Sequence, residues 1–311
     1  MVEAGLVLSR FLHYGASLIL FGASLFPLYT YCRRAGEARA RANRFQQVTV
    51  SAAAFAALLT GVLWFICVAA SMTGTPSGAA DPEALWSVLS ETSFGYVWIL
   101  RLVLITIFIG LTALRGASDL IDRLKLVLSA GLLASLAGVG HTQMHEGVTA
   151  IIHLSADGLH LLAAGAWLGG LLLLFYLVAM AVRTAAPERG IEAVNAATRF
   201  SGMGYIAVGT IIGSGLVNAW LLVGSFANLM RTPYGQLLSV KLCLFVGMLA
   251  LAATNRFWLV PTLVRDGKLG QPGVALFRLR AHALGELALG FVIILIVAAL
   301  GVMEPASNPP Q

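Results

Sequence analysis

Residues 150–182 read AIIHLSADGLHLLAAGAWLGGLLLLFYLVAMAV, and this one stretch excludes a water-soluble fold. It is longer than the roughly 20 apolar residues that cross a bilayer as a helix. Its only carboxyl, imidazole or basic side chains are His153, Asp157 and His160. Spaced i, i+4 and i+7, these three share one helical face. Ionisable side chains inside an apolar helix are costly and mark function by default.

Seven further apolar runs surround it, at about 5–31, 48–71, 96–114, 124–140, 199–224, 236–260 and 281–303. The chain of 311 residues is 59% hydrophobic and only 11% charged, with a mean hydropathy of +0.86. Soluble domains carry about a quarter charged residues. The runs lack strand-type alternation and are too long for barrel strands, which leaves helices as the spanning structure. The expected fold is an all-α polytopic membrane protein of about eight transmembrane helices, in one membrane domain spanning 1–311.

The charge of +6 excludes nucleic-acid binding once it is placed. Loops 32–47, 115–125, 183–199 and 256–280 hold 16 of the 20 Lys and Arg residues, whereas loops 72–95, 141–149 and 225–235 hold only Arg231. The positive-inside bias puts the four basic loops in the cytoplasm and both termini on the extracytoplasmic side. The first run contains Arg10 and His13 and is followed by Arg33 and Arg34. It is too long for a signal-peptide core and reads as a retained helix. Cys32, Cys67 and Cys243 lie far apart, with neither disulfide-framework nor zinc spacing, and read as small buried apolar residues.

A short internal repeat is visible. Leu12-His13-x-x-Ala16 with Gly22 matches Leu159-His160-x-x-Ala163 with Gly169, and Arg101 and Lys241 take similar places in the third and seventh runs. Two parallel four-helix pseudo-repeats, 1–140 and 141–311, would then be related by an axis along the membrane normal, bringing His13 and His160 together.

The candidate metal ligands are His13, His141, Met144, His145, His153 and His160. His141, Met144 and His145 are spaced i, i+3 and i+4 just outside the membrane, and imidazole with thioether suits copper, Cu(I) above all. Asp157, Arg10, Arg101 and Lys241 are the supporting groups. Asp157 either pairs with Arg101 or Arg10 or orients a ligand histidine. Each residue also has a plainer reading: His141 and His145 as solvated loop residues, His13 and His160 as packing residues. His282 and Glu286 read as a local pair with Arg256 nearby. Trp64, Trp86, Trp98 and Trp167 read as interfacial anchors or packing. No nucleophilic or acid/base constellation is present, so no enzyme activity is expected.

The series His141-x-x-x-His145, His153-Leu154-x-x-Asp157-x-x-His160-x-x-Ala163-x-x-x-Trp167-x-Gly169-Gly170 resembles the copper-resistance D (CopD/PcoD) family of bacterial inner-membrane proteins. Arg10-Phe11-x-His13, Arg199-Phe200-Ser201, Gly215-x-x-Asn218, Tyr234-Gly235-x-x-Leu238, Lys241, Asn255-Arg256-x-x-Leu259-x-Pro261 and Glu286 agree in order and spacing. The resemblance implies periplasmic copper handling and movement of copper across the inner membrane toward the cytoplasm. Copper would be collected by His141, Met144 and His145 and passed to His153, His160 and His13. Two other readings stay open. His13 and His160 could ligate haem b as an axial pair in an electron-transfer or metal-reducing protein, or the chain could be a membrane scaffold for a periplasmic copper chaperone.

Overall fold

Helix is the structure that satisfies backbone groups in hydrocarbon without a partner chain, and the long apolar runs adopt it throughout. The computed structural model describes residues 2–30, 36–114, 119–144, 146–184, 186–268 and 273–307. Cys32, Arg33, Arg34, Arg115 and His145 lie outside the described residues.

The helices are α1 (Val2–Thr30), α2 (Gly36–Thr73), α3 (Pro82–Glu91), α4 (Ser93–Ala113), α5 (Asp119–Ala134), α6 (Gly147–Thr184), α7 (Pro187–Val223), α8 (Phe226–Arg231), α9 (Pro233–Thr254), α10 (Val260–Lys268) and α11 (Gly273–Leu300). Among the described residues seven helical segments are long and apolar enough to cross a membrane. The fourth expected run is the shorter α5, whose 16 residues span about 24 Å and are extended by a 3₁₀ helix at Ser135–Val139. Arg101, in the first half of α4, donates to the carbonyl of Leu132 near the end of α5 at 2.5 Å. The end of α5 is therefore level with the start of α4, and α5 carries the chain back along the bundle.

The two ends of the chain meet at one end of the bundle. A Cβ on Gly301 would strike the Arg10 guanidinium, and His141, in the 3₁₀ turn His141–Met144, lies 3.2 Å from the Leu300 carbonyl. After α11 the chain folds back over α7 and α8. Ser307 N–H donates to Leu222 O at 3.0 Å, and Asn228 Nδ2 donates to Ala306 O at 3.0 Å.

At the centre α1 crosses α6 backbone against backbone. A Cβ on Gly22 would stand 2.6 Å from Gly169 Cα, and one on Gly169 would stand 2.8 Å from Gly22 Cα. Small residues at such crossings replace the hydrophobic drive that helices lack in lipid, because close approach maximises dispersion contact. The core grows outward from this contact through Leu18, Leu20, Phe21, Leu133, Leu171 and Leu174.

The same local device opens both α4 and α9. Thr92 Oγ1 accepts from Gly95 N–H at 3.0 Å, and Thr232 Oγ1 accepts from Gly235 N–H at 3.0 Å. Each hydroxyl donates back to the short helix before it, Thr92 to Val88 O at 2.5 Å and Thr232 to Asn228 O at 2.7 Å. The tryptophans divide: Trp64, Trp98 and Trp167 are core residues, whereas Trp86 is exposed.

Valine at Gly22 or Gly169 is expected to lower the thermal midpoint of the detergent-purified protein, since overpacking costs about 1–3 kcal/mol. Valine at Gly110, where a Cβ meets nothing within 4 Å, should leave it nearly unchanged. Thermal scans of the three variants decide this, and equal midpoints would remove the crossing from its central place.

Candidate functional site

Two histidines sit in matching frames on the two central helices. In the first half, Arg101 Nη2 lies 2.5 Å from His13 Nε2. A guanidinium has only donors, so His13 Nε2 is the acceptor and its proton is on Nδ1. Nδ1 faces Thr60 Oγ1 at 3.1 Å, and Thr60 gives its own proton to Ala56 O at 2.6 Å. Every lone pair and proton of the His13 ring is thereby committed. The ring is walled by Trp64 and Trp98, each at a centroid distance of 5.6 Å, and it lies against Gly61.

In the second half, His160 Nδ1 faces Ser214 Oγ at 3.0 Å, and Ser214 gives its proton to Thr210 O at 2.5 Å. His160 therefore donates from Nδ1, and its lone pair is on Nε2. Its ring lies against Gly215, as that of His13 lies against Gly61. The two frames part at the cation. Arg101 spans His13, Leu132 O and Ser135 Oγ, the last at 2.7 Å. Lys241 instead stands in the field of both His160 and Asp157. Asp157 accepts from Asn218 Nδ2 at 3.1 Å. The cation acting on the carboxylate is thus Lys241, while Arg101 is held by three other acceptors. Arg10 lies over Trp64 at 5.0 Å.

Outside the spans, His141 is half-buried. Its Nε2–H donates to Leu300 O at 3.2 Å, which places the lone pair on Nδ1. Burial holds its pKa below the ordinary imidazole value, Arg10 adds to that shift, and the Leu300 carbonyl opposes it. Met144, three residues on, is 45% exposed. His153 is fully buried on α6. Among the described residues no group of three His, Cys, Asp or Glu side chains converges as a metal cluster.

A polar centre that sequence reasoning left as a local pair lies further along the bundle. Glu286 is 2% exposed and accepts from Asn255 Nδ2 at 2.6 Å and from Trp167 Nε1 at 3.3 Å. His282 does not touch it; Nδ1 of His282 meets Asn255 Oδ1 at 2.8 Å. Arg256 turns instead to Tyr205, with Nε 3.1 Å from its hydroxyl. The cause is a π-helical turn at Asn255–Leu259, which reorients the end of α9 and which no sequence pattern announced. An intramembrane carboxylate with an Asn-Arg pair at the end of the preceding span was the available signal.

Comparison with known proteins agrees with this architecture. Residues 1–151 match the family model described as copper resistance protein D-like, N-terminal domain, and residues 194–300 match the model for copper resistance protein D. The chain is 30% identical to inner membrane protein YebZ of Escherichia coli (strain K12), over 95% of this chain and 97% of that protein. It is 30% identical to copper resistance protein D of Pseudomonas syringae pv. tomato, over 95% of each. It is also 30% identical to copper transport protein CutJ of Bacillus subtilis (strain 168), over 82% of this chain and 46% of that protein. No solved structure matches. With seven spans long enough for the bilayer among the described residues and a full-length likeness to two curated relatives, the chain belongs to the copper resistance protein D family and is a multi-pass inner-membrane protein.

Proposed function

We propose that this chain binds copper on the extracytoplasmic side of the inner membrane and passes it toward the cytoplasm. The observation that carries the reading is the free Nε2 lone pair of His160, fixed by the relay from its Nδ1–H through Ser214 to Thr210. Histidine ligands owe their orientation to such a bond from the other ring nitrogen. His141 offers a second fixed lone pair on Nδ1, with the Met144 thioether as a soft neighbour suited to Cu(I). Relatives named copper resistance protein D and copper transport protein CutJ support copper as the cargo. His13 takes a positioning role in this reading, since its acceptor nitrogen faces Arg101. The haem alternative requires Nε2 of both His13 and His160, and the bond from Arg101 opposes it.

Metal analysis with a visible spectrum tests the reading on purified wild type, His160→Ala and Ser214→Ala. Copper near one per chain is expected in wild type, lost in His160→Ala. Ser214→Ala should bind about 10–100-fold more weakly, the usual effect of losing an orienting partner. A Soret band that vanishes with His160 would replace copper by haem. Absence of both metal and haem under copper-replete conditions would favour the scaffold.

Ligation needs neutral imidazole. The lowered pKa of His141 means that its proton returns only below the ordinary value of about 6.5. Copper bound by the wild-type protein should therefore survive acidification through that value and be lost below it. A copper titration across pH checks this, and loss already above that value would argue against ligation by His141.

A further inference from the structure

Glu286 lies in a part of the bundle that the copper reading does not use. It lines a cavity of about 200 Å³ bounded by α6, α7, α9, the π turn and α11, with Trp167, Phe200, Tyr205, Asn255 and Arg256 among its walls. A cavity of this size admits several waters, and Glu286, Asn255, Arg256 and Tyr205 give them polar partners. The carboxyl's two bonds both come from neutral donors, the Asn255 amide and the Trp167 indole. The titratable or charged side chains of the lining are Glu286, Arg256 and Tyr205. Arg256 is held away, stacked over the Tyr205 ring at 5.2 Å and bonded to its hydroxyl. On α11 itself, His282 spends Nδ1–H on Asn255, and this fixes the amide with its NH₂ toward Glu286.

An ionised carboxylate at this depth with no cation beside it is expensive, so the group needs a mobile positive charge. A resident metal fits poorly, because one carboxylate and one imidazole already bonded through Nδ1 make too few ligands. A proton fits, since the cavity offers water on one side and the two donors steady the oxygens left behind.

We propose that Glu286 is a proton-exchange site, taking up and releasing one proton to water in this cavity. The transfer breaks the carboxyl O–H bond and forms a hydronium, or the reverse, with no other bond changed. Trp167 stands seven residues from His160, on the same face of α6. A charge change at Glu286 is thus carried toward the His160 frame by one rigid helix. That coupling rests on the copper reading; the proton site does not.

The test is a pH-difference infrared spectrum of the full chain reconstituted in lipid, in copper-free buffer. A carboxylic-acid C=O band that rises on acidification, persists in Asp157→Asn and is absent from Glu286→Gln is the expected result. Trp167→Phe removes one donor and should shift the same band, which covers the case in which Glu286→Gln fails to fold. A carboxyl that shows no such band, or keeps it unchanged from mildly acid to mildly alkaline buffer, overturns the proposal. Copper takes no part in the measurement, so loss of the copper reading would leave its outcome intact.

Discussion

Helix α1 and helix α6 touch through glycine, Gly22 against Gly169, and the positions of the functional side chains follow from that contact. A Cβ at either position would force the backbones apart by more than side-chain rotation can absorb, because the obstacle is main chain. With the two helices in van der Waals contact, His13 and His160 are carried on one central pair. The helices that complete their frames, α2 and α4 for one and α7 and α9 for the other, pack outside it. In lipid there is no hydrophobic gain to bring helices together, so shape at this crossing and the polar bonds around it set the arrangement.

Those polar bonds form two versions of one frame. Thr60 and Ser214 each pass their proton to a carbonyl one turn earlier and leave the oxygen to receive an imidazole N–H. Helix-borne hydroxyls make this bond readily because the preceding carbonyl lies within reach. The difference between the frames lies in one side chain. The planar fork of Arg101 serves three acceptors at once, a geometry that an ammonium cannot copy. Lys241, as a point charge on a flexible stem, answers to Asp157. Two similar frames therefore present two different nitrogens: one closed by a guanidinium, one left with its lone pair.

Most of the architecture was legible in the sequence because the bilayer imposes a length and a polarity on every span. The i, i+4, i+7 placement of His153, Asp157 and His160 required only helical geometry, and the Gly22–Gly169 correspondence only the match between two stretches of sequence. The partners of those residues did not follow from it. Three cations, Arg10, Arg101 and Lys241, stood at similar depths, and the choice among them for Asp157 depends on which acceptors surround each one in space. The fourth run appears as α5 and a 3₁₀ extension, and Arg101 binds Leu132 O and Ser135 where α5 ends. The Glu286 centre was least legible. It joins α6, the π turn and α11, and the π turn is a register change that apolar periodicity cannot reveal. The sequence reads Trp167 as packing or anchoring, whereas its indole N–H donates a hydrogen bond to that carboxyl.

The distribution of charge then bears on which frame suits the proposed cation. Two like charges about 5 Å apart at an effective dielectric near 20 repel by about 3 kcal/mol. The His13 frame has Arg101 in direct contact and Arg10 over the adjoining Trp64 ring, so a metal ion there meets two positive charges. In the His160 frame Lys241 acts on both His160 and Asp157, and among the described residues the hydrogen bond to the ring comes from Ser214 and not from a guanidinium. His13 is thus tied to a guanidinium as a strut, whereas His160 keeps the lone pair on which the proposed copper reading rests. The tie from Arg101 to His13 is what separates the two frames, and with its bonds to Leu132 O and Ser135 it holds α1, α4 and α5 together.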